Sequence, residues 1–465
     1  MPLSRRRFIA SSLLLPFSTL LPRISLASPE VGFDYVLTAQ PATLDISPEG
    51  STAGFGFDGQ FPAPVLRAKQ GQKIRIKFIN LLKEPTTIHW HGLRIPIEMD
   101  GVPFLSQPPI KSGEFYIYEF TPPDAGTFWY HPHVNSIEQL GKGLVGAFIV
   151  EESDNELKKL AFDQDIPLLL KNWHLDDQGH WLPFSTPRQS ARMGTPGRIE
   201  TINGLRAPQL KVQAGSLVRL RFLNVDNTVM YRIVMPKGLD AKVIAIDGNA
   251  VNVPFSLHEP WAMGPGMRLD IAFIAPSKEG QVIDIKNRQG KLNFNFFTLI
   301  TEGKAAQKTK IIPTLPASVI PVPDIKNAQK INFTFEWQGA ITPADKLLQG
   351  KHDFWVINKR AWEGMSRDNI PAPLVKLELG KSYIFNLRNV TQYHHPIHLH
   401  GHTWTVLKSN KRDIHPQGYH TDTVLLGKNE TVQVAFVADN PGRWMYHCHV
   451  IEHMNTGLMG FIEVS

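Results

Sequence analysis

The 465-residue sequence predicts an all-β protein built from three similar β-sandwich domains. Two observations support this fold class. The 35 Gly and 36 Pro favour many short strands joined by turns, and one strand pattern occurs three times along the chain. The length is roughly three times the ~150 residues of a typical domain. A composition that is 42% hydrophobic and 20% charged excludes a disordered chain and disfavours a helical bundle.

The repeated pattern is a glycine followed by a strand. Copies follow Gly71, Gly215 and Gly380, and the third copy carries a longer insertion before its glycine. In the first two copies, apolar residues occupy every second position after the glycine. This period of two is typical of a strand with one face buried. Three similar domains are therefore the simplest interpretation.

The spacing of the copies indicates where each domain lies. We expect domains over residues 30–152, 160–302 and 328–465. Residues 303–327 are rich in proline and lysine and are expected to form a linker between the second and third domains. Helix is expected to be scarce, with short pieces near residues 156–160 and 452–455.

The first 27 residues resemble a twin-arginine export signal. Arg5, Arg6 and Arg7 precede an apolar stretch, which ends at a small-residue site at residues 25–27. The stretch is shorter than the ~20 residues that span a bilayer, and two prolines interrupt it, which disfavours an uncleaved anchor. We expect the twin-arginine machinery to export a protein without a membrane span, which makes the mature form periplasmic or secreted.

The net charge gives no indication of a nucleic-acid partner. The formal charge is +7, but four arginines belong to the leader, which has no acidic residue. The rest of the chain carries 45 basic against 42 acidic residues, so neither nucleic acid nor another acidic partner is expected.

Histidine is concentrated in four short clusters. Ten of the 18 histidines lie in them, and all four clusters fall in the first and third predicted domains. Each cluster contains a His-x-His pair, which on a strand places two imidazoles on one face. The pairs are His89 and His91, His131 and His133, His398 and His400, and His447 and His449. Neutral imidazole binds Cu, Zn, Fe and Ni, so these pairs indicate several metal ions.

The single cysteine narrows the choice of metal. Cys448 lies between His447 and His449, so on a strand it points to the opposite face. A thiolate there with two further imidazoles forms the His2Cys set of a blue-copper electron-transfer site. A structural zinc site with four ligands fits one cysteine poorly. A lone cysteine also excludes an intramolecular disulfide.

The four clusters and the threefold repeat resemble those of three-domain multicopper oxidases, the laccase-type family. The resemblance covers nearly the whole mature chain and implies cupredoxin-like Greek-key domains, each a β-sandwich or barrel. It also implies four copper ions: one of type 1, one of type 2 and two of type 3. Electrons from a small reducing substrate would pass from type 1 copper through Cys448 to a trinuclear cluster, where O2 is reduced to water.

The resemblance implies a residue of this chain for each copper-ligand position of the family. It implies type 1 ligands His395, Cys448 and His453, type 2 ligands His89 and His398, and type 3 ligands His91, His131, His133, His400, His447 and His449. Because both end domains supply ligands, we expect those two domains to meet, with the middle domain bridging them.

Three further positions concern proton supply and the type 1 potential. Asp100 matches the family's acidic residue near type 2 copper and is a candidate proton donor or relay, although an Asp-Gly turn is the alternative. The family often has a second carboxylate directly after the type 1 histidine, but here His453 is followed by Met454. Either Glu452 takes over the role of this carboxylate in proton delivery, or the proton route differs. Leu458 occupies the position of an axial methionine in many bacterial relatives, with Met459 next to it. A leucine facing the copper should raise its potential.

The leading hypothesis is a copper oxidase of phenols or aromatic amines that uses O2 as acceptor. A cuprous or ferrous metallo-oxidase is a close alternative, but the 11 methionines form no dense cluster. A copper-free envelope or cell-division scaffold of the same fold is a third possibility, although no ligand is missing here. A two-domain copper nitrite reductase is disfavoured by the third repeat.

Overall fold

The computed structural model describes residues 31–47, 50–305, 311–339, 352–362, 365–416 and 418–465, and these are mostly β-strand. The predicted leader and residues 306–310 of the predicted linker lie outside the described residues. Within the described part of the chain, none of the helices has the length and apolar character that crossing a bilayer requires.

The amino-terminal strands form two four-stranded sheets around one buried apolar cluster. They are β1 (Tyr35–Ser47), β2 (Gly50–Phe57), β3 (Leu66–Lys69), β4 (Ile74–Asn80), β5 (His89–His91), β6 (Phe115–Phe120), β7 (Gly126–His131) and β8 (Gly146–Glu151). The sheet orders are β2-β1-β4-β6 and β3-β8-β7-β5.

The middle of the chain forms a six-stranded and a five-stranded sheet, again around a common apolar cluster. The strands are β9 (Gln164–Trp173), β10 (Ile199–Ile202), β11 (Gln209–Gln213), β12 (Leu217–Asn224), β13 (Tyr231–Val234), β14 (Lys242–Ile246), β15 (Asn249–Ser256), β16 (Trp261–Met263), β17 (Arg268–Ile274), β18 (Val282–Gln289) and β19 (Leu292–Glu302). Their orders are β10-β9-β12-β17-β14-β15 and β11-β19-β18-β13-β16.

The carboxy-terminal part repeats this arrangement of six and five strands. The strands are β20 (Gln329–Trp337), β21 (Trp355–Ile357), β22 (Val375–Leu377), β23 (Ser382–Asn389), β24 (His395–Leu399), β25 (Trp404–Ser409), β26 (His420–Thr421), β27 (Thr423–Leu426), β28 (Thr431–Val437), β29 (Gly442–Cys448) and β30 (Met459–Val464). Their orders are β21-β20-β23-β28-β25-β26 and β22-β30-β29-β24-β27.

Helix is confined to short segments between strands. They are α1 (Ser136–Gly141), α2 (Asp154–Leu160), α3 (Pro187–Ser190), α4 (Ile451–Asn455) and a 3-10 turn (Ile97–Met99). The sequence predicted helix near α2 and α4, but α1 and α3 carry no clear apolar periodicity and were not predicted. Helix α3 begins at a proline, and its N-cap Thr186 accepts a hydrogen bond from the Gln189 backbone N–H.

The three parts share a common core of strands, and the predicted all-β fold class is confirmed. In each part the first strand runs parallel to the strand that follows the repeated glycine: β1 with β4, β9 with β12, and β20 with β23. Gly71, Gly215 and Gly380 have φ values of +72°, +69° and +78°. A Cβ at Gly71 or Gly380 would meet no neighbouring atom, so the backbone conformation, rather than space, favours glycine there.

Side chains from different parts of the chain contact one another directly. The Thr127 hydroxyl, on β7, donates to the Asp270 carboxylate, on β17, at 2.8 Å. The Asn440 side-chain amide, near the carboxy terminus, donates to the Ile95 carbonyl at 2.9 Å. The first and last sheet pairs therefore meet, as expected for a site with ligands from both ends of the chain.

Candidate metal centre

Histidines from the two ends of the chain converge in the structure. His89 and His91 lie on β5, while His398 lies on β24 and His400 follows that strand. The rings of His89 and His400 stack with centroids 3.8 Å apart, and those of His91 and His398 with centroids 3.9 Å apart. All four side chains are buried.

The remaining two His-x-His pairs complete the same group. The Nε2 atoms of His400 and His447 are 3.1 Å apart, and the rings of His131 and His449 have centroids 5.4 Å apart. His133 shares with His400 and His447 a set of donor atoms that all lie within 4.8 Å of one another. We call these side chains the eight-histidine cluster: His89, His91, His131, His133, His398, His400, His447 and His449.

Strand pairing explains why the pairs meet. In one sheet His89 lies opposite His131 across β5 and β7, and in another His398 lies opposite His447 across β24 and β29. Directly opposed residues of antiparallel strands point to the same face, and so do residues two apart on one strand. Each end of the chain therefore presents four imidazoles on one surface.

The donor atoms of the eight-histidine cluster fit metal ions. Within the described residues, Nε2 of His89, His131 and His398 and both ring nitrogens of His133 and His449 are buried without a hydrogen-bond partner. Buried polar atoms are costly unless they are paired. Metal ions would supply the missing partners for these nitrogens.

Burial keeps several imidazoles of the cluster in the neutral state that metal binding requires. Burial lowers the pKa of His447 to about 3, and it holds the pKa of His131 and His133 well below the ordinary value. Neighbouring imidazoles lower these pKa values further because like charges repel. The imidazoles of His131, His133 and His447 are therefore neutral at physiological pH, with lone pairs free for a metal.

A second donor group lies on the other face of β29. Cys448 Sγ is 3.6 Å from Nδ1 of both His395 and His453, and these two nitrogens are 3.2 Å apart. All three side chains are buried, and burial lowers the pKa of His453 to about 3. We call this trio the His2Cys group. Two imidazole nitrogens and one sulfur at this spacing fit the trigonal donor set of blue copper.

Leu458 lies on the same side of β29 as Cys448. Met459 is paired with His447 across β29 and β30, so its side chain shares the face of the eight-histidine cluster. Leu458 precedes Met459, donates its backbone N–H to the His453 carbonyl, and packs in the same apolar cluster as Cys448. Met459 belongs to a different apolar cluster. Of the two candidate axial residues, Leu458 is the one beside the thiol.

Asp100 contacts the eight-histidine cluster directly. Its carboxylate accepts a hydrogen bond from His400 Nδ1 at 3.0 Å, and its backbone carbonyl accepts one from His89 Nδ1 at 2.8 Å. Both bonds fix the ring orientation and leave Nε2 for a metal. Gly101 follows with φ +79°, so Asp100 also occupies the turn that the alternative interpretation expected.

Glu452 is bound to the middle part of the chain. Its buried carboxylate accepts hydrogen bonds from the Ser190 hydroxyl at 2.7 Å, from the Thr195 hydroxyl at 2.8 Å and from the Thr195 backbone N–H. Within the described part of the chain, the Glu452 carboxylate forms no hydrogen bond with the eight-histidine cluster. These contacts tie α4 to residues 186–195. Compensation by Glu452 for Met454 in proton delivery stays a prediction.

The sequence analysis did not single out Asp422, which lies between β26 and β27. Its Oδ1 atom is 3.1 Å from His91 Nε2, and its backbone carbonyl accepts a hydrogen bond from His398 Nδ1 at 2.9 Å. Arg268, on β17, donates to the other carboxylate oxygen at 2.6 Å. Burial favours a raised pKa for Asp422, but Arg268 outweighs it and keeps the carboxyl ionised. In the sequence, Asp422 appears only as a single acidic residue between Thr421 and Thr423, which does not by itself indicate a role at a metal site.

Comparison with known proteins matches the chain to one family. Two family models described as multicopper oxidase match residues 39–155 and 342–465. Crystal structures of multi-copper oxidases from Pseudomonas thermotolerans and Pseudomonas parafulva are 44% and 45% identical in sequence, each with a TM-score of 0.83. Each alignment covers 93% of this chain, and they cover 98% and 100% of the respective structures.

A curated relative, the multicopper oxidase MmcO of Mycobacterium tuberculosis, is 27% identical, and the alignment covers 91% of this chain and 85% of that protein. The two family matches include all ten cluster histidines and the cysteine, and the crystal structures align over nearly the entire length. This chain, with its cupredoxin-like domains, therefore belongs to the multicopper oxidase family and is an oxygen-using oxidoreductase.

Proposed function

We propose that this protein couples the one-electron oxidation of phenols or aromatic amines at a type 1 copper to the four-electron reduction of O2 at a trinuclear copper cluster. Oxidation of four phenols to phenoxyl radicals releases the four electrons and four protons that convert one O2 into two waters. Copper ions, when bound, supply the one-electron redox chemistry, and the protein supplies geometry and a dry environment.

The family resemblance implies a specific division of ligands among the copper ions. His395, Cys448 and His453 would hold the type 1 copper, and Leu458, which packs in the same apolar cluster as Cys448, would supply no ligand atom. The eight-histidine cluster would hold the other three ions, with His89 and His398 on type 2 copper and the remaining six histidines on the type 3 pair. The unpaired buried nitrogens of this cluster support metal binding there, while the division between type 2 and type 3 copper follows the family resemblance.

The observation that carries the proposal is the tripeptide His447-Cys448-His449. Its two histidines belong to the eight-histidine cluster and its cysteine belongs to the His2Cys group, because successive side chains on a strand point to opposite faces. The two sites are thus joined by covalent bonds within one tripeptide at the end of β29. This is the connection that electron transfer from a reducing substrate to O2 requires.

Asp100 is the best candidate for proton delivery to the cluster. Its carboxylate is buried beside His400 and His89, and within the described residues no lysine or arginine forms an ion pair with it. Asp422 differs, because Arg268 already neutralises its charge. A carboxylate without a fixed cation can take up a proton and pass it on.

The methionines around the site bear on the choice between organic donors and metal ions. Met445, Met454 and Met459 are all buried in one apolar cluster. Their thioethers are therefore withheld from a Cu(I) donor, whereas Met193, next to the Arg192 that binds His453, is exposed. The preference for organic donors accordingly rests on the absence of a dense methionine cluster in the sequence. Oxidation of Cu(I) or Fe(II) is the alternative. Steady-state rates of the protein with a phenol, Cu(I) and Fe(II) decide between the two.

We also infer export by the twin-arginine route to the periplasm or beyond, from the arginine-led leader in residues 1–27. The mass of the protein recovered from a periplasmic extract tests this. Loss of about the first 27 residues is expected, and a cytoplasmic, full-length product would contradict it.

Colour and oxygen uptake test the proposed function. Copper-loaded protein should be intensely blue and should consume one O2 per four molecules of 2,6-dimethoxyphenol oxidised by one electron. The Cys448→Ser variant should lose both properties and keep its far-UV circular dichroism, because sulfur and oxygen have similar size in the buried pocket. A colourless wild-type protein under copper-replete conditions, or turnover retained in the variant, would refute the proposal.

A further inference from the structure

One edge of the His2Cys group is covered by the protein itself. His453 is fully buried, and its Nε2 donates to the Arg192 carbonyl at 2.8 Å. The segment that carries Arg192 is held by Glu452 and by the Trp355 indole N–H, which donates to the Ser190 carbonyl at 2.7 Å. Trp355 also packs on the His453 ring, with centroids 4.4 Å apart. A donor molecule therefore has no direct contact with His453.

His395, the second histidine of the His2Cys group, has a neighbour in sequence that solvent can reach. His394 directly precedes the buried His395, and its exposed side chain lines a cleft of about 550 Å3 between the middle and carboxy-terminal parts of the chain. Phe255, Trp261 and Tyr419 also line this cleft. Aromatic walls suit a flat ring, because stacked and edge-to-face contacts stabilise such pairs.

The aromatic walls are ordered among themselves. The Phe255 ring meets the His415 ring edge-on with centroids 4.6 Å apart, and it lies 6.1 Å from the Trp261 ring. Tyr419 lies 6.5 Å from Trp261 on the other side. These contacts fix the cleft's shape before a ligand enters, which lowers the entropic cost of binding.

One cation in the cleft lacks a partner. Arg412 donates to Glu430 at 2.9 Å, so these two charges neutralise each other. Arg232 is half-buried in the same cleft, and among the described residues its guanidinium forms no ion pair and no hydrogen bond. The other two acids of the cleft, Asp413 and Glu259, are exposed to water at its rim. A planar guanidinium without a partner is suited to a carboxylate.

We propose that this cleft binds the reducing substrate, and that Arg232 selects aromatic donors that carry an acidic group, such as hydroxybenzoates. The ring lies against Phe255 and Trp261, the carboxylate pairs with Arg232, and the donor sits against His394, one peptide bond from His395. The proposal rests on the function proposed above, since it names the donor class for the same type 1 site.

Binding of a redox-inert probe tests the cleft independently of turnover. Calorimetry on the full-length protein compares 4-methoxybenzoate with its neutral amide, 4-methoxybenzamide. The wild type should bind the acid about tenfold or more tightly than the amide, as expected for a charge-assisted pair. Arg232→Gln should remove this preference and leave amide binding unchanged, whereas Arg232→Lys should keep part of it. Arg206→Gln, an exposed arginine elsewhere on the middle part, is the matched control and should behave as wild type.

Steady-state oxygen uptake gives the second readout. In Arg232→Gln the KM for 4-hydroxy-3-methoxybenzoate should rise about tenfold with kcat nearly constant, while both constants for neutral 2-methoxyphenol stay as in wild type. Unchanged constants for the acid, equal losses for both donors, or equal binding of acid and amide to wild type would overturn the proposal. If wild type oxidises neither donor, the proposed function fails, and the calorimetric comparison still decides whether the cleft recognises aromatic acids.

Discussion

At the scale of single residues, Leu458 has the clearest predicted effect on the redox properties of the His2Cys group. It lies on the Cys448 face of β29, where a longer side chain could reach a copper ion bound by the His2Cys group. Leu458→Met should place a weak thioether ligand there and lower the type 1 reduction potential, with the blue colour retained. Redox titration of the blue absorption measures this.

Met459→Leu is the matched control, because it removes a thioether from the opposite face. Its potential should equal that of wild type. A shift in Met459→Leu together with no shift in Leu458→Met would reverse the assignment of the axial position.

Individual residues also show which parts of the site could be predicted from the sequence. The four His-x-His pairs and the opposite orientation of Cys448 were predictable because alternation on a strand depends only on local spacing. His395 and His453 were assigned from the family resemblance. Asp422 was not, because its partners Arg268 and His91 are 154 and 331 residues away. The contacts of Glu452 with Ser190 and Thr195 likewise depend on how the parts of the chain pack together.

At the scale of elements, the turn after Asp100 positions β5. Gly101 has φ +79°, and a Cβ there would lie 1.7 Å from the Ile88 carbonyl oxygen. Gly101→Ala should therefore push Asp100 and His89 out of place, lower the thermal midpoint and reduce copper bound by the eight-histidine cluster. Metal analysis together with thermal unfolding measures both effects.

Gly113→Ala is the control that separates the steric clash at Gly101 from the backbone strain that alanine causes at a positive φ. Gly113 has nearly the same φ, +80°, but open space around it. Alanine in this left-handed conformation costs about 1 kcal/mol, so this variant should lose little stability and no copper. Equal behaviour of the two variants would mean that the turn at Gly101 does not position the site.

At the scale of the whole molecule, Arg268 connects all three parts of the chain. From β17 its side chain donates to the Thr127 carbonyl at 3.1 Å and to the Asp422 carboxylate at 2.6 Å, and its backbone N–H donates to Asp247 at 2.6 Å. The threefold repeat predicted each sandwich, but it contained no information on how they dock. The middle part, which has no histidine cluster, thus helps to hold together the two that do.

This connection predicts a large effect from one substitution. Arg268→Met should leave the buried Asp422 carboxylate without its cation, at a cost of about 3–5 kcal/mol, because desolvation of an unpaired charge is then uncompensated. Thermal unfolding of the copper-free protein should show a markedly lower midpoint, and copper loading of the eight-histidine cluster should fall. The double variant Arg268→Met with Asp422→Asn removes both charges and should recover part of the lost stability. If the single variant unfolds at the wild-type midpoint, or if the double variant is less stable than the single one, the Arg268–Asp422 pair is not what holds the three parts together at the metal centre.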